Sequence, residues 1–169
     1  MLIDGISYRT IWCTDDGAVE IIDQTRLPHV FETLQLKTLS QMVHAIKEMW
    51  VRGAPLIGAA AAWGMALAMR EANDDAQLEA AAIALCASRP TAVNLRWAVE
   101  RMLIALRLLP PLQRAAAAQH LAETMCDEDV ALNRAIGRHG FALLKSMHEH
   151  QGRPLRILTR CKPSCIAMG

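Results

Sequence analysis

No excess of charge of either sign marks this chain: 18 lysines and arginines stand against 17 aspartates and glutamates, a formal net charge of +1. Such a balance gives no general attraction to nucleic acid and no polybasic anchor for a membrane, so small molecules and protein partners are the expected ligands. A membrane-spanning run is also missing. The uncharged segment 53–69 has 17 residues, short of the about 20 that a span requires, and consists mainly of Ala and Gly rather than Leu, Ile or Phe. The five cysteines, Cys13, Cys86, Cys126, Cys161 and Cys165, are an odd number in a sequence with no cationic leader followed by an apolar stretch at its start. Reduced thiols in a cytoplasmic protein are therefore expected. Cys161 and Cys165 form a C-x3-C pair, with no second pair and no histidine cluster nearby, and none of the six histidines forms an H-x3-H pattern. The chain lacks the ligand spacing of a zinc site, and no metal or cofactor is expected.

What is present is enough apolar sequence for one substantial core, with 53% hydrophobic residues in 169. Segment 53–69 lies between Arg52 and Arg70 and opens as a helix should. Proline in a first helical turn loses no hydrogen bond and presets φ, so Pro55 makes Gly53 and Ala54 the approach to a helix N-terminus. The free N–H groups and positive dipole end there attract anions, and Arg52 adds a fixed cation with a planar fork of donors. Arg52-Gly53-Ala54-Pro55 thus reads as a phosphate clamp at the mouth of a core helix. In the body of that helix Leu56, Ile57, Trp63, Leu67 and Met69 fill space, while Gly58 and Gly64 let neighbouring helices come close.

Segments 6–13 and 18–22 are β-rich and separated by Thr14-Asp15-Asp16-Gly17, a hairpin signal that predicts a small antiparallel sheet. Thr38 or Ser40 can cap a helix reaching about Val51, with Met42, Val43, Ile46 and Trp50 at helical spacing. An Ala-rich helix after Asp74 and Asp75 ends at Arg89-Pro90, since a residue before proline avoids the α region. Thr91 or Asn94 opens the next, whose stripe is Leu95, Ala98, Val99, Met102, Leu103 and Leu106, and Pro110-Pro111 closes it. A helical stretch over 112–148 follows, with a break expected around Cys126-Asp127-Glu128-Asp129 and with Gly137 and Gly140 thinning a packing face. Trp97 sits at core spacing and is expected to be packing, as is Trp63. His148 and His150, on a polar stretch, are expected to face water. Gln151-Gly152-Arg153-Pro154 marks a connector, after which 155–159 reads as a short buried strand. The expected organisation is a helical domain over 1–150 with a small sheet, then a linker and the first strand of an α/β domain over 151–169.

Five motifs carry a resemblance to a known family. Val51-Arg52-Gly53-Ala54-Pro55, followed by Ile57-Gly58 and the Ala-rich helix, closely resembles the N-terminal signature of the methylthioribose-1-phosphate isomerases, in the superfamily that also holds regulatory subunits of translation initiation factor 2B. Ile22-Asp23-Gln24-Thr25-Arg26-Leu27-Pro28, Ser88-Arg89-Pro90-Thr91-Ala92-Val93-Asn94-Leu95, Asn133-Arg134-Ala135-Ile136-Gly137-Arg138-His139-Gly140 and Ile157-Leu158-Thr159-Arg160-Cys161 are similar to family segments in the same order. The resemblance implies isomerisation of 5-methylthioribose 1-phosphate to 5-methylthioribulose 1-phosphate in methionine salvage, without nucleic acid, membrane or cofactor. It implies substrate contacts at Arg52, Gly53, Ala54 and Arg89 and an active-site cysteine at Cys161, and that full-length relatives are homodimers. The second domain of the family is Rossmann-like, and a parallel strand ending at Cys161 would place the thiol at a ligand crevice.

The tail departs from the family. Lys162-Pro163-Ser164-Cys165 replaces the family's continuation, Arg160 stands where a histidine is usual, and a later acid–base aspartate has no counterpart, so truncation and weak or absent activity of this chain alone are expected. A ribose-1,5-bisphosphate isomerase and a non-catalytic regulatory module of the same superfamily are the alternatives. An extra basic residue facing the C5 substituent would mark the first, and loss of Cys161 or of the Arg-Gly-Ala-Pro segment would mark the second.

Overall fold

The computed structural model describes residues 2–3 and 5–158. A small β region precedes a layered helical body. β1 (Leu2–Ile3) and β2 (Ile6–Ser7) pair as a short ribbon, while β3 (Ile11–Cys13), β4 (Val19–Ile22) and β5 (Thr33–Leu36) form an antiparallel sheet in sequence order. The expected strand 6–13 is divided because its halves serve different ladders: Ser7 pairs with Leu2, Ile11 with Ile21. The Asp-Gly turn is in place, with Gly17 at φ 78° in the left-handed region that glycine enters without cost. Strand β5 had no clear mark in the sequence. It is defined by its partner, with Thr33 opposite Ile22 and Leu36 opposite Val19.

The helices are α1 (Leu39–Lys47), α2 (Ala54–Glu71), α3 (Asp75–Ser88), α4 (Val93–Arg107) and α5 (Pro111–Gln151). Thr38, one of the two expected caps, closes α1 reciprocally with Gln41, and Asp74 caps α3 by accepting from the Gln77 N–H at 2.7 Å. Helix α1 stops at Lys47, short of the expected end at Val51. Met49 turns to φ 62°, and the N–H groups of Met49 and Trp50 reach back to the carbonyls of Ile46 and Ala45, which closes the helix with a Schellman motif. α4 opens at Ala92, between the two residues expected to cap it, with no side-chain cap.

Helix α2 is the axis of the body, packed by α1, α3, α4 and α5. Every residue from Leu56 to Met69 is buried, as befits a helix apolar on all sides. Its two interior glycines are places of close approach. A Cβ at Gly64 would lie 2.8 Å from Leu85 Cδ2, and one at Gly58 would lie 3.1 Å from the Asn94 carbonyl oxygen. Among the described residues no helix is long and apolar enough to cross a membrane.

Helix α5 corrects two expectations. It runs unbroken through Cys126-Asp127-Glu128-Asp129. Cys126 and Val130 pack in the core, Asp127 pairs with Arg9 at 2.7 Å, and Glu128 accepts from Arg101 at 2.8 Å. Packing and cations from elsewhere outweigh the weak helix propensity of the acidic cluster. Gly137 and Gly140 thin no packing face, because a Cβ at either would meet nothing within 4 Å. The second half of α5 leaves the body, with Leu132, Ile136, Phe141 and Leu143 exposed. His148 and His150 are exposed as expected, although His148 Nδ1 also meets the Arg153 carbonyl oxygen at 2.9 Å. Residues 155–158 are irregular rather than a strand, since a strand exists only by pairing and they pair with no other described segment; Thr159 lies outside the described residues.

Burial has a titration consequence at Cys126. Desolvation in the core pushes its thiol up to about 11 from the ordinary value of 9.0, so the folded state holds this proton more tightly than the unfolded chain. The associated stability is fully present below pH 9 and is lost as pH rises toward 11, a contribution of about 2–3 kcal/mol. Denaturant melts of the wild type and of Cys126→Ala at pH 8 and pH 11 test this. The wild type is expected to lose about 2–3 kcal/mol more than the variant, and equal losses would mean the thiol ionises as easily folded as unfolded.

Candidate functional site

Four of the five residues singled out by sequence meet in one place. Arg52, Gly53, Ala54 and Arg89 line an open hollow of about 380 Å³ together with Met49, Ile57, Thr91, Ala92, Val93 and Asn94. Cys161, the fifth, lies outside the described residues.

Two chain segments build the hollow. The reversal at Met49 turns the chain sharply after α1, and a hydrogen bond from Gln24 N–H to Trp50 O at 2.9 Å fastens the following stretch to the β region. Gly53 then adopts φ 102° and ψ 134° as the N-cap of α2, a backbone conformation that side chains strongly disfavour. Its own carbonyl accepts from Ile57 N–H at 2.9 Å. No side chain caps this helix end, and Pro55 offers no donor, so the N–H groups of Ala54 and Leu56 are left as helix-terminal orphans.

The opposite wall is the start of α4. Arg89 leaves α3 at φ −147°, the extended conformation favoured before proline, and a turn closed by Ala92 N–H to Arg89 O at 3.0 Å leads into the helix. Here too no side chain caps the N-terminus. The hollow therefore receives the positive ends of two helices at once, each with unsatisfied donors. Neither the Arg52 nor the Arg89 guanidinium has a partner among the described residues. Two helix N-termini and two arginines around one opening are the chemistry of a phosphate or carboxylate site.

Residues 91–94, the α4 half of this wall, line the hollow without having been singled out as site residues by the sequence. Their signals in the sequence are a predicted helix start and their place in the segment 88–95 that resembles the family. Arg89 rested on resemblance alone, whereas the Arg52 segment was legible from its helix-start chemistry.

A second hollow of about 400 Å³ adjoins the first through Asn94 and is lined by Pro55, Gly58, Ala59, Trp97, Met125, Glu128, Asp129 and Leu132. Trp97, expected as core packing, is 52% exposed. Its ring carries the Arg101 guanidinium 5.6 Å from the centroid, and Arg101 in turn holds the Glu128 carboxyl below its usual range. The stripe of α4 that enters the core is centred on Leu95, Ala98, Val99 and Met102, and Trp97 falls beside it rather than on it.

The sequence profile of the initiation factor 2 subunit family matches residues 50–167, which include both walls of the hollow. The chain belongs to this family. Within the initiation factor 2 subunit family it is 52% identical over 168 residues to a methylthioribose-1-phosphate isomerase of Paramagnetospirillum magneticum, covering 99% of this chain and 46% of that protein. It thus spans less than half the length of the relatives that carry this name. Similar solved structures include two with named functions. One, of 5-methylthioribose 1-phosphate isomerase from Pyrococcus horikoshii OT3, superposes at TM-score 0.67 with 34% identity, covering 73% of this chain and 37% of that one. The other, of translation initiation factor eIF-2B subunit delta from A. fulgidus, also gives TM-score 0.67, with 38% identity over 73% of this chain and 38% of that one. The mainly helical body with its small antiparallel sheet is the fold these structures share with this chain.

Proposed function

We propose that this chain supplies the phosphate-binding part of an aldose–ketose isomerase that converts 5-methylthioribose 1-phosphate to 5-methylthioribulose 1-phosphate. The observation that carries the reading is the meeting of Arg52, Gly53, Ala54 and Arg89 around one hollow at two uncapped helix ends, in a chain about half identical to isomerases of that name.

The chemistry of such a substrate explains what the hollow would be for. A phosphate ester at C1 prevents the sugar from opening to a free aldehyde, so the reaction needs fixed donors to hold the ester and a dry, charge-stabilising pocket around the carbon skeleton. Arg52, Arg89 and the two helix ends hold the phosphate. Cys161 is assigned proton transfer or electrostatic support at C1–C2, and the assembled enzyme is a cytoplasmic homodimer. A regulatory reading stands second, favoured by the 38% identity to a translation-factor subunit; there the hollow binds a phosphorylated ligand without turnover.

Phosphorus NMR of methylthioribose 1-phosphate separates the two. The purified chain is expected to shift and broaden the ester resonance. The chain joined to the remaining half of the Paramagnetospirillum magneticum relative is expected to convert the substrate, and Cys161→Ser in that protein to bind without converting. Binding without conversion by the unmutated joined protein would favour the regulatory reading. No perturbation of the resonance by either protein would overturn the phosphate assignment.

A further inference from the structure

We infer that Gly58 is a positioning residue for the hollow: its missing side chain sets how closely the first turn of α4 approaches α2, and so fixes the spacing between the Arg52 wall and the Arg89 wall. The inference rests on the reading of the hollow as a phosphate site.

Residue 58 is one helical turn beyond Ala54 and on the same face of α2. A Cβ there would lie 3.1 Å from the carbonyl oxygen of Asn94, 3.5 Å from its carbonyl carbon and 3.6 Å from its Cβ. Asn94 itself lines the hollow beside Thr91, Ala92 and Val93. The nearest obstacle is thus backbone in a first helical turn, which cannot rotate aside as a side-chain end can. An added methyl group must move the whole start of α4 outward by a few tenths of an ångström, carrying its free N–H groups and the Arg89 turn with it.

Gly64, on the same helix, supplies the contrast. A Cβ at that position would lie 2.8 Å from Leu85 Cδ2 and 3.1 Å from Met42 Cγ. Both are side-chain atoms in the core, and neither residue lines the hollow. One glycine sets the spacing of two binding walls, and the other only makes room for packing. Hydrogen bonds to a phosphate weaken steeply with distance and angle, and a misplacement of about 1 Å is enough to cost on the order of 100-fold in a positioned site.

The test compares wild type, Gly58→Ala and Gly64→Ala by phosphorus NMR titration with methylthioribose 1-phosphate, with thermal melts of each. Gly58→Ala is expected to weaken binding by about 3- to 10-fold. Its melting temperature is expected to change little, because alanine's higher helix propensity offsets the contact. Gly64→Ala is expected to lower the melting temperature with binding unchanged. A Gly58→Ser variant extends the series, and its larger side chain is expected to weaken binding further. If Gly58→Ala and Gly58→Ser bind like the wild type, or if Gly64→Ala weakens binding equally, the positioning role is wrong while the phosphate reading stands. If the wild type does not bind the ester, the phosphate reading fails and the inference with it.

Discussion

Arg52→Ala is expected to weaken binding of methylthioribose 1-phosphate by roughly 30- to 150-fold, the equivalent of about 2–3 kcal/mol for a charge-assisted, forked contact to phosphate. Arg89 and the helix ends, whose N–H groups belong to the backbone, retain the remaining affinity. Arg52→Lys keeps the charge but loses the planar fork and is expected to fall between the two. Arg89→Ala is expected to lose a comparable factor. Since both guanidinium groups would grip one phosphate across the same hollow, the double variant is expected to lose less than the sum of the two free energies. Raising ionic strength should weaken the wild type more than Arg52→Ala, as the exposed cation is the more screened partner. Arg52 has no partner to lose among the described residues, so its removal should leave unfolding free energy within about 0.5 kcal/mol. An isothermal titration in which Arg52→Ala binds like the wild type would remove Arg52 from the site.

How much of this was legible depends on whether a residue's role is set by its neighbours in sequence or by its neighbours in space. Thr38, Asp74, Pro55 and the Asp16-Gly17 turn act on backbone a few residues away, and their helices begin and the hairpin turns where the sequence put them. The Arg52 clamp was legible for the same reason. Strand β5 exists because β4 runs beside it, and nothing within Thr-Leu-Gln-Leu states that. Met49 in the left-handed region has no sequence signal, since glycine or asparagine is the residue expected there. The acidic break expected in α5 was a sound local inference overturned by Arg9, Arg101 and the core. The α4 wall of the hollow depends on α2 and α4 lying side by side, which helical periodicity cannot specify. Arg114 carries no mark in the sequence beyond being a charged residue near the start of an Ala-rich helix.

Arg114→Met is expected to cost about 3–5 kcal/mol of unfolding free energy, and at about 2–4 °C per kcal/mol for a chain of this size to lower Tm by roughly 6–20 °C. Arg114 is only 4% exposed. Its Nε donates to the carbonyls of Leu106 and Leu109 and its Nη1 to that of Asn73, each at 3.1 Å, while Nη2 pairs with Asp75 at 2.6 Å. Buried ion pairs can often be replaced by apolar residues of similar volume at little cost, because both charges leave together. That remedy fails here, because three of the four acceptors are backbone carbonyls that no substitution can remove. Arg114→Lys keeps the charge but cannot reach all of them, and is expected to recover about half of the loss. Urea melts decide: a change below about 1 kcal/mol for Arg114→Met would mean that water satisfies these carbonyls. The acceptors lie at the C-terminal ends of α2 and α4, where orphan carbonyls and the negative dipole ends collect. The N-terminal ends of the same two helices open on the hollow of Arg52 and Arg89. Two helices running side by side in one direction thus have their negative ends neutralised internally by a built-in cation and their positive ends left unsatisfied toward solvent. Arg114→Met should therefore lower stability while leaving ester binding by the folded fraction unchanged.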